Sequence, residues 1–96
     1  MATFKMLHLS ISHPAALSAE QTKQIEEALN KAKDWLRYAP NCWLIWTSVE
    51  PRVWADRLHK VLSNEYDAFL FVEVNLENRG GWLIDDAWKW INKERR

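Results

Sequence analysis

Trp35-Leu36-Arg37-Tyr38-Ala39-Pro40-Asn41-Cys42-Trp43-Leu44-Ile45-Trp46-Thr47 is two short, largely apolar runs split by Ala39-Pro40-Asn41. Pro40 interrupts a helix or a sheet ladder, and Asn41 suits a turn. The second run, Cys42 to Thr47, reads as a strand. Aromatic and β-branched residues dominate it, with Trp43, Ile45 and Thr47 opposing Cys42, Leu44 and Trp46. The first run has two readings. Either the preceding helix extends to Arg37, or it stops near Lys33 and Trp35 to Tyr38 is a strand of its own. The strand reading makes the whole stretch a hairpin, and the fold class depends on it.

On the N-terminal side, Leu7, Leu9 and Ile11 alternate with Met6, His8, Ser10 and Ser12. That period of two predicts a strand with the aliphatics on its buried face, ended by His13-Pro14. Ser18 with Gln21 three residues on forms a capping box. Ile25, Ala28, Leu29 and Ala32 then recur at helical spacing, with Glu20, Lys23, Glu26, Glu27 and Lys31 facing water. On the C-terminal side, Ser48 caps a second helix with Pro51 in its first turn. Trp54, Leu58, Val61 and Leu62 form its stripe, and Asn64 and Glu65 close it. Ala68 to Val74 is the most apolar strand, with Ala68, Leu70, Val72 and Val74 on one face and Phe69, Phe71 and Glu73 on the other. Asn75 to Gly81 is a loop in which Gly80-Gly81 permits a bend. Asp85 to Lys93 is a last helix with Ala87, Trp88 and Ile91 inward.

With Trp35 to Tyr38 as a strand, the order is the split βαβ pattern of ferredoxin-like α+β folds, plus a C-terminal helix, in a single domain spanning residues 1–96. Two helices cover one face of the antiparallel sheet. The other face is expected to carry Met6, His8, Phe69, Phe71 and either Trp43 or Trp46. An apolar outer face needs a cover, and a second copy of the chain is the simplest one. The expected homodimer interface is Met6, His8, Phe69, Phe71, Trp82 and Leu83.

The segments Trp43-Leu44-Ile45, Asp67 to Val74, Gly81-Trp82-Leu83 and Ala87-Trp88-Lys89-Trp90-Ile91, with the Ser-capped helix ending in Val61-Leu62, resemble the SinR-like small prokaryotic proteins. These are similar to the ferredoxin-like CRISPR adaptation nuclease and the VapD ribonuclease toxins. The likeness covers Trp35 to Ile91 and rests on element order and Trp positions. It implies a dimer in which the region after the last strand contacts the partner subunit. The nucleases of this group share an Asp at the end of the first strand, which binds a divalent metal across the dimer. Matching Pro14 to the family's post-strand position puts Ser10 there, and no Asp or Glu occurs from Met1 to Ala19. A Ser hydroxyl is a poor ligand for a hard cation, so the departure argues against nuclease activity.

The remaining chemistry is sparse. Lys plus Arg and Asp plus Glu number 13 each, so the chain lacks the overall field of an avid nucleic-acid binder. Arg37, Arg52, Arg57, Lys60 and Arg79 are candidate nucleic-acid or partner contacts beside Trp side chains, although Asp56 lies one helical turn from both Arg52 and Lys60. His8, His13 and His59 have no metal-ligand spacing, and Ser10, Ser12 and Ser48 lack a nucleophile-elbow context. Asp85-Asp86 reads as first-turn acids facing the positive helix end. A metal site would need Glu73, Asp85, Asp86 and His8 to converge. Cys42 is the only cysteine, which fits a reducing, cytoplasmic setting. No cofactor, signal peptide or membrane span is indicated. The resulting expectation is a non-catalytic dimeric binding protein, an inhibitor or regulator of the kind found in microbe–virus conflict. A metal-dependent nuclease and a nucleic-acid-binding module are the alternatives.

Overall fold

The computed structural model describes residues 3–12, 17–62 and 68–95. The elements run β1 (Lys5–Ser12), α1 (Ala19–Leu29), β2 (Asp34–Ala39), β3 (Cys42–Thr47), α2 (Pro51–His59), β4 (Ala68–Val74) and α3 (Asp85–Asn92). The strand reading of Trp35 to Tyr38 therefore holds. Helix α1 starts at the expected capping box: Gln21 N donates to Ser18 Oγ, and Ser18 N donates to Gln21 Oε1, each at 3.0 Å. It ends at Leu29 because the sheet captures the next residues. Lys33 N already donates to Trp46 O at 3.0 Å, and Trp35 packs on the core with Nε1 donating to Asn30 Oδ1 at 2.9 Å.

The four strands form one antiparallel sheet in the order β2-β3-β1-β4, the split βαβ arrangement of an α+β fold. Leu7, Leu9 and Ile11 of β1 lie on one face with Trp43 and Ile45 of β3 and Phe71 of β4. Ile25 and Leu29 of α1 and Trp54 and Leu58 of α2 close over them, so α1 and α2 share this inner face. Trp54 is 1% exposed, stacks on Phe71 with ring centroids 6.2 Å apart, and donates from Nε1 to Thr47 Oγ1 at 3.2 Å. That bond satisfies the one polar atom that burying an indole would otherwise strand.

Two expectations are corrected. Phe69 and Phe71 do not sit on the outer face. Leu9 opposes Phe71 and Ile11 opposes Phe69 in the β1–β4 register, and directly opposed residues share a face. Both rings therefore point toward the helices, in edge contact with each other at 6.1 Å. The outer face of β4 carries Leu70, Val72 and Val74. Of the two candidates in β3, Trp46 is the outward one, opposite Met6. Secondly, Ser48 does not cap α2. The cap position is Glu50, with Pro51 opening the helix, and the Thr47 hydroxyl instead accepts from Val49 N at 3.1 Å. The end signals at His13-Pro14 and Asn64-Glu65 lie outside the described residues.

Candidate functional site

Period two in β1 and β3 places Met6, His8, Ser10, Cys42, Leu44 and Trp46 on the outer face. Helix α3 lies over part of it. Trp88 and Ile91 meet His8, Tyr38, Leu44 and Val74 around a cleft of about 180 Å³, which Leu76, Arg79, Gly80 and Leu83 complete. The C-terminal residues are tied to the β2 side of the sheet, where Lys93 and Arg95 approach Asp34 at 3.6 and 3.9 Å. The Arg95 guanidinium also stacks on Trp90 at 3.9 Å and donates to Trp90 O at 2.8 Å. The chain thus supplies its own cover for the β2–β3–β1 part of the outer face. The expected interface residues Met6 and His8 are half-buried within their own subunit.

At the floor of the cleft, His8 Nε2 shares a hydrogen bond with the Tyr38 hydroxyl. Burial lowers the His8 pKa below its ordinary 6.5, so the imidazole is neutral at pH 7. Burial also pushes the Tyr38 phenol up to about 12, reinforced by its side-chain hydrogen bond with Cys42. The His8 imidazole and the Tyr38 phenol thus satisfy each other, and a phenol shifted upward is the opposite of an activated nucleophile, which needs a depressed pKa.

Strand β4 differs from the rest of the outer face. Leu70 is 61% and Val72 43% exposed. In the loop before α3, Trp82 is fully exposed and Ile84 is 75% exposed. Leu83, next to Trp82, lines the cleft together with His8 and Val74, and these two residues flank Val72 across and along the sheet. Trp82 and Ile84 thus emerge beside the apolar face of β4. Among the described residues β4 pairs only with β1, so its other edge presents backbone donors and acceptors that no described strand takes up.

The candidate cations are not brought together. Arg37 stacks over Trp43 at 5.1 Å and donates to Pro40 O from Nε at 3.0 Å, beside α1. Arg57 lies over Trp54 at 5.0 Å and, with Lys60, borders the groove between α1 and α2. Arg52 is exposed on α2. Arg79 is on the opposite side of the sheet, donating to Leu76 O at 2.8 Å and to Asn92 Oδ1. It straps the loop to α3. The acids are similarly scattered. Glu73 opposes Leu7 and so lies on the helix-bearing side, while His8 is on the outer side. No group of three or more His, Cys, Asp or Glu able to hold a metal occurs among the described residues. The sequence reading missed Ile84 and assigned Leu70 and Val72 to the wrong side. The one usable signal was that both faces of β4 are apolar while only one can meet α1 and α2.

Comparison with protein-family models, curated proteins and solved structures returns no significant match to this chain.

Proposed function

We propose that this domain is a non-catalytic binding protein that works as a homodimer, with the outer face of β4, Trp82 and Ile84 as its contact surface. The observation that carries this reading is the fully exposed indole of Trp82 beside an exposed apolar strand face. Complete cover of Leu70, Val72, Trp82 and Ile84 would remove roughly 550 Å² per subunit, about 1,100 Å² in total, near the lower bound for a specific interface. The resemblance to the SinR-like proteins supports the same assignment, because there the region after the last strand contacts a second subunit. Through the surface left free, the dimer acts by occupying a site on a protein partner, as an inhibitor or regulator would. The mutually satisfied His8 and Tyr38 and the dispersed acids favour this over turnover.

Sedimentation velocity on the purified chain tests the assembly. The expected result is a species of twice 11.4 kDa at micromolar concentration. Val72→Lys, on an exposed position, should convert it to a folded monomer. A wild-type chain that stays monomeric as concentration rises overturns the reading.

A further inference from the structure

Resting on that dimeric reading, we propose its geometry: two copies join β4 to β4, antiparallel across a two-fold axis through Phe71, to make one continuous sheet of twice four strands. The two edges of the sheet are unlike. The edge strand β2 is guarded. It carries Asp34 and Arg37, has an irregular register between Arg37 and Ala39, leads into Pro40, and is held by Lys93 and Arg95 at Asp34. Charges, bulges and proline are the usual means of blocking edge pairing. Strand β4, Ala-Phe-Leu-Phe-Val-Glu-Val, has no proline, no lysine and no interruption in its pairing with β1 from Ala68 to Val74. It is a seven-residue edge whose one charge is Glu73, near its C-terminal end.

The strand is also complementary to itself. An axis at its middle residue, Phe71, is the one two-fold register that pairs its whole length. On the outer face it sets Leu70 against Val72 of the second copy and Ala68 against Val74. On the inner face it sets Phe71 against Phe71 and Phe69 against Glu73. Every outer pair is then apolar, which suits close cross-strand packing. Glu73, the only charge in β4, meets Phe69 and stands four positions from its own mate, so like charges are not opposed. A two-fold axis at Val72 or Leu70 would leave two residues at one end unpaired. Lys93 and Arg95 are tied to Asp34 on β2, at the opposite edge of the sheet, while α3 reaches β4 at its end residue Val74 in the cleft.

Cysteine cross-linking reads the register directly. In a Cys42→Ser background, Leu70→Cys and Val72→Cys are made separately, both at exposed positions, and folding is verified by circular dichroism. Directly opposed residues have Cα atoms about 4.5–5.5 Å apart, within disulfide reach, whereas diagonal neighbours lie beyond it. Mixing the two variants under mild oxidation should give a covalent dimer, mostly of one Leu70→Cys and one Val72→Cys chain, with little from either variant alone. Three results would overturn the proposal. Either variant alone could cross-link as fully as the mixture. The mixture could stay unlinked while sedimentation reports a dimer, which discards this geometry but keeps the dimeric reading. A monomeric wild-type chain would discard both.

Discussion

Replacing Trp54 with Ala separates the Trp that builds the domain from the Trp that faces outward. Trp54 is 1% exposed, stacked between Phe71 and the Arg57 guanidinium, with its indole nitrogen bonded to Thr47. Losing the ring removes its burial and leaves a cavity between α2 and β4, which for a buried aromatic costs about 3–5 kcal/mol. Thr47 is not stranded, because its hydroxyl still accepts from Val49 N. No penalty for an orphaned polar group is therefore added. Against a total stability of about 5–15 kcal/mol, this is about a fifth or more. With a urea slope near 1.5 kcal/mol/M, the midpoint should fall by about 2–3 M. The matched variant is Trp82→Ala, at full exposure, whose stability should change by less than about 0.5 kcal/mol. Both are read by urea titration followed by circular dichroism, in dilute samples where assembly does not contribute. A loss below about 1.5 kcal/mol for Trp54→Ala, or a larger loss for Trp82→Ala, would refute the placement of these side chains.

Ser18→Ala should cost about 1 kcal/mol, since it removes one half of the capping box of α1; the same titration checks it. Trp88→Ala should cost about 1–2 kcal/mol, less than a core Trp, because Trp88 is only half-buried against the cleft. Asp34→Asn should cost under about 1 kcal/mol, as Lys93 is well exposed and the Arg95 contact is long. His8 gives a pH dependence. Its folded pKa lies below the unfolded 6.5, so its contribution is complete above pH 6.5. It is lost as pH falls through the folded value, because the unfolded chain takes up the proton first. His8→Gln should flatten the thermal midpoint between pH 7 and 5; an unchanged slope would assign it to other groups.

The legible parts of the fold were those where one periodicity excluded the other. In β1, Leu7, Leu9 and Ile11 alternate with polar or larger neighbours, and the structure buries those three. The capping box at Ser18 and Gln21 fixed the start of α1 because the side chains it needs are local. The strand at β2 stayed ambiguous because Leu36, Arg37 and Ala39 suit a helix as well as a strand. Pairing with β3, which is not local, decides it. Strand β4 failed differently. Both of its faces are largely apolar and the one charge, Glu73, stands on the face that turns inward, so alternation misleads, and only the register with Leu9 shows that Phe71 points inward. At α2, Ser48 was a good cap by type, but Pro51 belongs in the first turn and places the cap at Glu50. The exposed apolar surface was half legible: Trp82 was singled out in the sequence, whereas the exposure of Leu70 and Val72 needed the third dimension.

Amide hydrogen exchange along β4, followed as a function of protein concentration, tests the central claim most directly. In a lone subunit, the amides of β4 that point away from β1 have no partner and exchange rapidly. In the paired sheet they donate across the two-fold and are protected. The account predicts strong protection of alternate amides between Ala68 and Val74 at high micromolar concentration, lost on dilution and absent in Val72→Lys, while β1 and β3 are unaffected. Rapid exchange of those amides at every concentration, in a sample that sediments as a dimer, would contradict it and place the contact elsewhere on the molecule.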